Sequence, residues 1–129
     1  MRVVDDSKAT NPAAAAAALE AVEGRVRWIA GGRPKQKDFT ELREVAAAKA
    51  AAVYLYGEAA EAMQRQLNGT VRCRVFHRLE EAVEAAWEEA MPGETLLLSP
   101  ACASFDQFED FARRGEEFVA QVKRLAKEV

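Results

Sequence analysis

The chain alternates short apolar segments of the strand type with longer segments of the helix type, and this alternation restricts its fold more than any other feature. Strands are predicted at residues 3–4, 26–30, 52–56, 72–76 and 95–98, with 72–76 near a sheet edge. Helices are predicted over residues 12–23, 41–50, 57–67 and 79–91. The last third is expected to hold a short helix and a long helix separated by Gly115. Repeated strand–helix units favour an α/β domain with a mostly parallel sheet flanked by helices.

The composition is that of an ordinary globular domain. The 129 residues fit one domain, residues 1–129, and half of them are apolar, which is enough for a core. The net charge of −3 gives no electrostatic reason to bind nucleic acid or an anionic membrane. No apolar run approaches the roughly 20 residues of a membrane span. The two cysteines, Cys73 and Cys102, are interpreted as reduced thiols of a cytoplasmic protein.

Polar loops follow three of the predicted strands. They are the first loop (residues 5–11, DDSKATN), the second loop (residues 31–35, GGRPK) and the third loop (residues 99–104, SPACAS). Ligands of open parallel sheets bind outside the carboxyl ends of the strands. We therefore expect the three loops to lie together at one edge of the sheet.

Each loop allows a binding role and a simpler structural role. In the first loop, Thr10 or Asn11 could merely cap the following helix, or a hydroxyl, the helix N-terminus and Lys8 could together hold an anion. In the second loop, the glycines allow close approach to a ligand, and Lys35 is either a solvated surface lysine or the partner of a carboxylate. In the third loop, Ser104 could cap a helix or contact a carboxylate.

Catalysis by a side chain of this chain is not predicted. A nucleophilic role for Cys102 would need a neighbouring base, and the single histidine, His77, follows a different strand. Neither residue stands in a metal-ligand pattern. The nucleotide-binding patterns GxxxxGK[ST] and GxGxxG are absent from the sequence. The residues by themselves therefore point to no catalytic group, and for each loop the binding role and the structural role stay open.

Three motifs, taken in order, resemble the D-glutamate-adding ligases of the Mur ligase family. They are DSKATN at residues 6–11, AGGRPK followed by Asp38-Phe39 at residues 30–39, and SPACASFDQF at residues 99–108, with Phe111, Arg114-Gly115 and Phe118 beyond it. The order and spacing agree over nearly the whole chain, and the third motif is the most specific. The match is to the C-terminal, third domain of these enzymes.

This resemblance implies a Rossmann-like α/β domain that binds D-glutamate and closes over an ATP site. The family joins D-glutamate to UDP-N-acetylmuramoyl-L-alanine through an acyl-phosphate in peptidoglycan synthesis. It uses ATP and Mg²⁺, which are held mainly by the N-terminal and central domains. The C-terminal domain alone is then expected to be inactive, with no catalytic residue and no metal ligand of its own.

The resemblance also assigns roles position by position. Four positions would hold the two carboxylates of D-glutamate: Thr10, Lys35, Ser104 and the backbone around Phe111. Lys8 would lie beside that site, and Asp6 would face the ATP ribose. The alternatives are a stand-alone dicarboxylate-binding module without ligase activity and a purely structural domain.

Overall fold

Five parallel strands form the central sheet of this computed structural model, which describes residues 1–104 and 110–127. The strands are β1 (Arg2–Asp5), β2 (Val26–Gly31), β3 (Ala50–Tyr56), β4 (Cys73–Phe76) and β5 (Thr95–Ala101). Their order across the sheet is β1-β5-β2-β3-β4, and every neighbouring pair is parallel. The expected α/β fold is confirmed, and β4 lies at a sheet edge as predicted.

Helices cover both faces of this sheet. They are α1 (Pro12–Ala21), α2 (Arg43–Lys49), α3 (Ala60–Leu67), α4 (Leu79–Glu89) and α5 (Phe111–Lys127), with a 3₁₀ turn at Thr40–Leu42. Alternate strand residues enter two separate cores, because successive side chains of a strand point to opposite faces. Trp28 and Leu97 pack in the core beneath α1, α2 and α3, whereas Ile29 and Leu98 pack beneath α4 and α5.

The predicted helix over residues 41–50 was too long at its C-terminal end. Ala50 already belongs to β3 and pairs with Val26 of β2. The run Ala46 to Ala52 carries high helix propensity throughout, so propensity could not locate the boundary. Pairing with β2 and burial of Ala50 determine the boundary instead. The other helices end within three residues of their predicted limits.

Gly115 does not separate two helices, contrary to the prediction. It lies inside the continuous helix α5. A Cβ at this position would stand 2.5 Å from Ser7 Oγ and 2.7 Å from Asp5 Oδ2. Glycine is therefore needed here for the close approach of α5 to the first loop, and the helix continues through it.

The predicted aromatic face that Phe111 shares with Phe105 and Phe108 lies partly outside the described residues, because 105–109 are not among them.

Along residues 1–104 and 110–127, no helix is both long enough and apolar enough to cross a membrane.

Candidate functional site

The first, second and third loops lie side by side at the carboxyl edge of the sheet. They follow β1, β2 and β5, which are adjacent and parallel, with β5 in the middle. The prediction that the three loops lie together at one edge of the sheet is therefore confirmed. The topology of the sheet alone brings together segments that are about 90 residues apart in the sequence.

The third loop begins later than the sequence predicted, because residues 99–101 extend β5. The predicted strand ended at residue 98, before Pro100, which has no backbone N–H. The pairing of β2 with β5 shifts between Ile29 and Gly31, so the proline falls where the ladder is already irregular. Ala101, the next residue, has a positive φ of 64°. This uncommon conformation turns the chain out of the sheet and into the remainder of the third loop.

Two hydrogen bonds join the first loop to the third. The Ala101 amide donates to the Ala9 carbonyl at 2.8 Å. The Ser99 hydroxyl donates to Asp6 Oδ2 at 3.1 Å, and Ser99 is completely buried. The first loop is therefore attached to the sheet through β5 as well as through its own strand.

The second and third loops form a short antiparallel bridge. Arg33 and Ala103 exchange backbone hydrogen bonds of 2.8 Å in both directions. Gly32 fits against this bridge because a Cβ there would stand 2.3 Å from the Ala103 carbonyl oxygen. The two glycines of the second loop thus permit close backbone contact within the protein, in addition to any approach to a ligand.

Thr10 and Lys35, two of the predicted binding residues, are in direct contact. The Lys35 ammonium donates to the Thr10 hydroxyl at 3.1 Å, and the side chain of Lys35 is exposed. Asn11, and not Thr10, caps α1, since its side-chain oxygen accepts from the Ala14 amide at 2.9 Å. The Thr10 hydroxyl is therefore not used as a helix cap, and it stands with a cation at the open edge of the sheet.

The other predicted residues occupy different positions around this edge. Ser104 is buried at the end of the third loop, and Phe111 is 47% exposed at the start of α5. The helix cap near Phe111 is Asp110, whose carboxylate accepts from the Arg113 amide at 2.8 Å. Asp6 and Lys8 line a groove of about 750 Å³ between β1 and α1. Ser104 is not among the residues that line this groove.

Sequence reasoning missed Arg114. This side chain is completely buried, and its Nη2 donates to the Ser7 carbonyl at 3.0 Å and to the Cys102 carbonyl at 2.9 Å. The sequence offered one signal, because Arg114-Gly115 is part of the third motif, but an arginine in an amphipathic helix is normally expected in solvent.

Charge at the opposite end of the sheet belongs to a separate network. Glu89 at the end of α4 forms ion pairs with Arg72 and Arg74 and accepts a hydrogen bond from Tyr54. The hydrogen bond from Arg72, followed by that from Tyr54, lowers the pKa of Glu89 to about 2. Burial, followed by the hydrogen bond to Glu89, raises the pKa of Tyr54 to about 12. The network joins strands to α4 and includes none of the predicted binding residues.

Cys102 and His77 lie apart within the fold. Cys102 is buried in the core beneath α1, whereas His77 lines a groove between the start of α4 and α5. Among the described residues, no group of three or more histidine, cysteine or acidic side chains is placed to hold a metal ion.

Comparison with known proteins gives a consistent result. The family model described as "Mur ligase, glutamate ligase domain" matches residues 1–102. The UDP-N-acetylmuramoylalanine–D-glutamate ligase of Desulfosudis oleivorans is 46% identical over 121 residues, which is 94% of this chain and 26% of that protein. The enzyme of the same name from Methylococcus capsulatus is 47% identical over 123 residues, 95% of this chain and 27% of that protein.

This chain therefore spans about a quarter of the length of the curated relatives that it matches. Among solved structures, it is similar to a Haemophilus ducreyi domain assigned to a UDP-N-acetylmuramate:L-alanyl-gamma-D-glutamyl-medo-diaminopimelate ligase. The TM-score is 0.57 at 17% identity, covering 92% of this chain and 89% of that one. At that identity the similarity shows a shared fold.

Proposed function

This chain belongs to the Mur ligase, glutamate ligase domain family, and from that premise we propose that residues 1–129 form the C-terminal, amino-acid-binding domain of a D-glutamate-adding ligase. The whole ligase would join D-glutamate to UDP-N-acetylmuramoyl-L-alanine in peptidoglycan synthesis. The relatives that cover nearly all of this chain carry that enzyme's name, which favours this function over a stand-alone dicarboxylate-binding module.

One observation supports the assignment of the ligand above the others: the contact between Lys35 Nζ and Thr10 Oγ1 at the shared edge of the three loops. An ammonium and a hydroxyl held 3.1 Å apart offer a carboxylate one charged and one neutral hydrogen-bond donor. D-Glutamate carries two carboxylates, so a second set of donors is required. We assign that set to Ser104 and the backbone around Phe111, with Lys8 beside the site.

The chemistry required of this domain is placement. The amine of D-glutamate attacks the activated carboxyl carbon of the acceptor, a C–N bond forms, and the bond from that carbon to the phosphate oxygen breaks. Binding both carboxylates leaves the amine free and directs it, and orientation of this kind can supply a large part of a rate enhancement. The ammonium group of D-glutamate loses one proton before the attack, and the new amide nitrogen loses a second. We assign both proton transfers to groups beyond this chain, and we assign this chain no catalytic residue.

ATP and Mg²⁺ supply the activation of the acceptor carboxyl group in the whole ligase. We propose that they are held mainly by domains beyond this chain, which spans about a quarter of the length of its relatives. Asp6 and Lys8 line the same open groove and offer an anion and a cation. We propose that these two side chains contact the nucleotide in the whole ligase, with Asp6 toward the ribose. The proposal places the protein in the cytoplasm, without nucleic acid or membrane partners.

The test is a titration of the nitrogen-15-labelled chain with D-glutamate and then L-glutamate, followed by amide chemical shifts. We expect D-glutamate to shift the amides of Thr10, Lys35, Ser104 and Phe111 in the millimolar range, with a weaker response to L-glutamate. Equal responses to both enantiomers would favour a general anion site and the stand-alone module.

Lys35→Met should weaken this binding by about tenfold, because a charged hydrogen bond to a carboxylate is lost. Lys37→Met is the matched control, since Lys37 is an exposed lysine two residues further along the same segment. The chain with Lys37→Met should bind D-glutamate as the unchanged chain does. Equal weakening of D-glutamate binding by both substitutions would mean that the ligand responds only to the general positive charge of this surface.

A further inference from the structure

A buried guanidinium lies where the three loops meet. Arg114 Nη2 donates to the carbonyl of Ser7 in the first loop and to that of Cys102 in the third. Its Nη1 lies 3.0 Å from the point where a Cβ on Gly32 of the second loop would stand. One side chain of α5 therefore contacts two loops and lies beside the third.

Close packing of α5 on the first loop brings the guanidinium to this point. Gly115 removes the Cβ that would otherwise stand 2.5 Å from Ser7 Oγ. Phe118, one turn further along, is completely buried in the core beneath α4 and α5. Phe118 thus packs α5 onto the sheet, and Gly115 lets the helix contact the first loop directly beside Arg114.

Packing alone does not account for an arginine here. A buried charge is costly to remove from water, and apolar residues of similar volume are often as stable or more so. Within residues 1–104 and 110–127, Arg114 Nε and Nη1 have no hydrogen-bond partner. Among the described residues, the two partners bonded to this guanidinium are backbone carbonyls of the loops that would bind the ligand.

We propose that Arg114 is a positioning residue that fixes the first and third loops against each other and against the second loop, so that Thr10, Lys35 and Ser104 are already arranged for a dicarboxylate. Bringing a site into its bound arrangement before binding lowers the cost of ordering it. The consequence for D-glutamate rests on the proposed function, whereas the effect on the loops does not.

The experiment compares the unchanged chain with Arg114→Met, Arg114→Lys and Arg113→Met. Methionine fills the space without donating hydrogen bonds, and lysine keeps the charge but loses the planar fork. Arg113 is the matched control because it is the preceding residue of α5, exposed and paired with Glu116 and Glu117. Backbone amide exchange is measured first, without ligand, followed by titration with D-glutamate.

The reporters are amides whose hydrogen bonds connect the loops: Arg33, Ala101 and Ala103. In Arg114→Met they should exchange about tenfold faster or more, while the amide of Val53 in β3 stays protected. Arg114→Lys should fall between Arg114→Met and the unchanged chain, and Arg113→Met should match the unchanged chain. D-Glutamate should bind about tenfold more weakly to Arg114→Met.

If the loop amides of a folded Arg114→Met chain exchange at the unchanged rate, the proposal is wrong. If both Arg114 variants unfold, the proposal is also wrong, because the guanidinium is then required for the fold as a whole. If only Arg114→Met fails to fold, the lysine variant provides the same readouts. Faster loop exchange in a series whose unchanged chain does not bind D-glutamate would support positioning by Arg114 and contradict the proposed ligand. Retained affinity despite loosened loops would limit Arg114 to loop geometry and overturn its role in binding.

Discussion

Gly31 is the residue at which the site tolerates the least change. Its φ is +140°, and a Cβ there would stand 2.0 Å from the backbone oxygen of Tyr56 in the neighbouring strand. Backbone atoms of a central strand cannot move aside as the end of a flexible side chain can. The requirement for glycine at this position is therefore a requirement of the β2–β3 pairing as much as of the second loop.

Gly31→Ala should lower the free energy of unfolding by about 3 kcal/mol, because it combines backbone strain with a clash against a strand. Gly69→Ala is the control: Gly69 also has a positive φ, of +82°, but nothing lies within 4 Å of its Cβ position. Gly69→Ala should lower the free energy of unfolding by only about 1–2 kcal/mol, the usual destabilisation when a residue with a side chain adopts the left-handed conformation. Denaturant unfolding measures the free energy of unfolding of both variants. Equal losses of stability would show that backbone strain, and not the clash with Tyr56, accounts for the effect of Gly31→Ala.

Glycines also show what the sequence could and could not reveal at this scale. Gly31 and Gly32 were predicted to allow close approach to a ligand, which stays a prediction, whereas the groups that they approach in the structure are the backbones of Tyr56 and Ala103. Gly115 was assigned to a helix break, because its neighbours in space, Asp5 and Ser7, are about 110 residues away in the sequence. A contact of that kind leaves no local pattern.

At the scale of elements, α1 illustrates a helix whose start is fixed locally. Asn11 accepts a hydrogen bond from the Ala14 amide, Pro12 occupies the first turn, and the alanines that follow have the highest helix propensity. The first loop ends at this cap, so the position of Thr10 depends on where α1 begins. Local signals of this type are readable from sequence, and α1 began at its predicted residue.

Asn11→Ala should therefore destabilise the protein by about 1 kcal/mol, the usual loss for a helix N-cap. The amide of Thr10 should also shift, because the cap fixes the residue beside it. Asn68→Ala serves as the comparison, since Asn68 is an exposed residue after the end of α3. If thermal unfolding shows the same loss for both variants, the cap at Asn11 contributes nothing specific.

Long-range constraints account for the elements that the sequence placed wrongly. β5 was expected to end at residue 98, but it continues to Ala101, and the shifted pairing of β2 with β5 accommodates Pro100. Ala50 was expected in a helix, but pairing with Val26 makes it part of β3. The order of strand and helix could be predicted because periodicity is local. These boundaries could not, because they depend on the neighbouring strand.

At the scale of the whole molecule, the sheet has a carboxyl end where the three loops lie and an opposite end that is held by charge. Arg27 of β2, Tyr54 of β3 and Arg74 of β4 all interact with Glu89 of α4. Three strands and a helix are thus connected through one carboxylate. Because the predicted binding residues lie at the other edge, stability and ligand binding can be altered separately.

This separation gives a prediction about pH. The pKa of Glu89 is lowered from 4.5 to about 2, mainly by the hydrogen bond from Arg72. A carboxylate whose pKa is lower in the folded state stabilises the fold above its unfolded pKa, and that contribution is lost as the pH falls toward the folded value. The free energy of unfolding should therefore decline between about pH 4.5 and pH 2, by about 1–2 kcal/mol for this partly exposed group.

Glu89→Gln should remove that part of the decline and lower the stability at neutral pH, where the charge would otherwise contribute. Glu88→Gln is the matched control, because Glu88 is the preceding residue of α4 and is exposed. Urea unfolding at several pH values measures the slope, and D-glutamate titration at neutral pH should give the same affinity for both variants and the unchanged chain. A pH slope that survives Glu89→Gln would locate the acid-sensitive carboxylate elsewhere. A lost affinity would show that the two ends of the sheet are coupled, and that the fold transmits strain from α4 to the three loops.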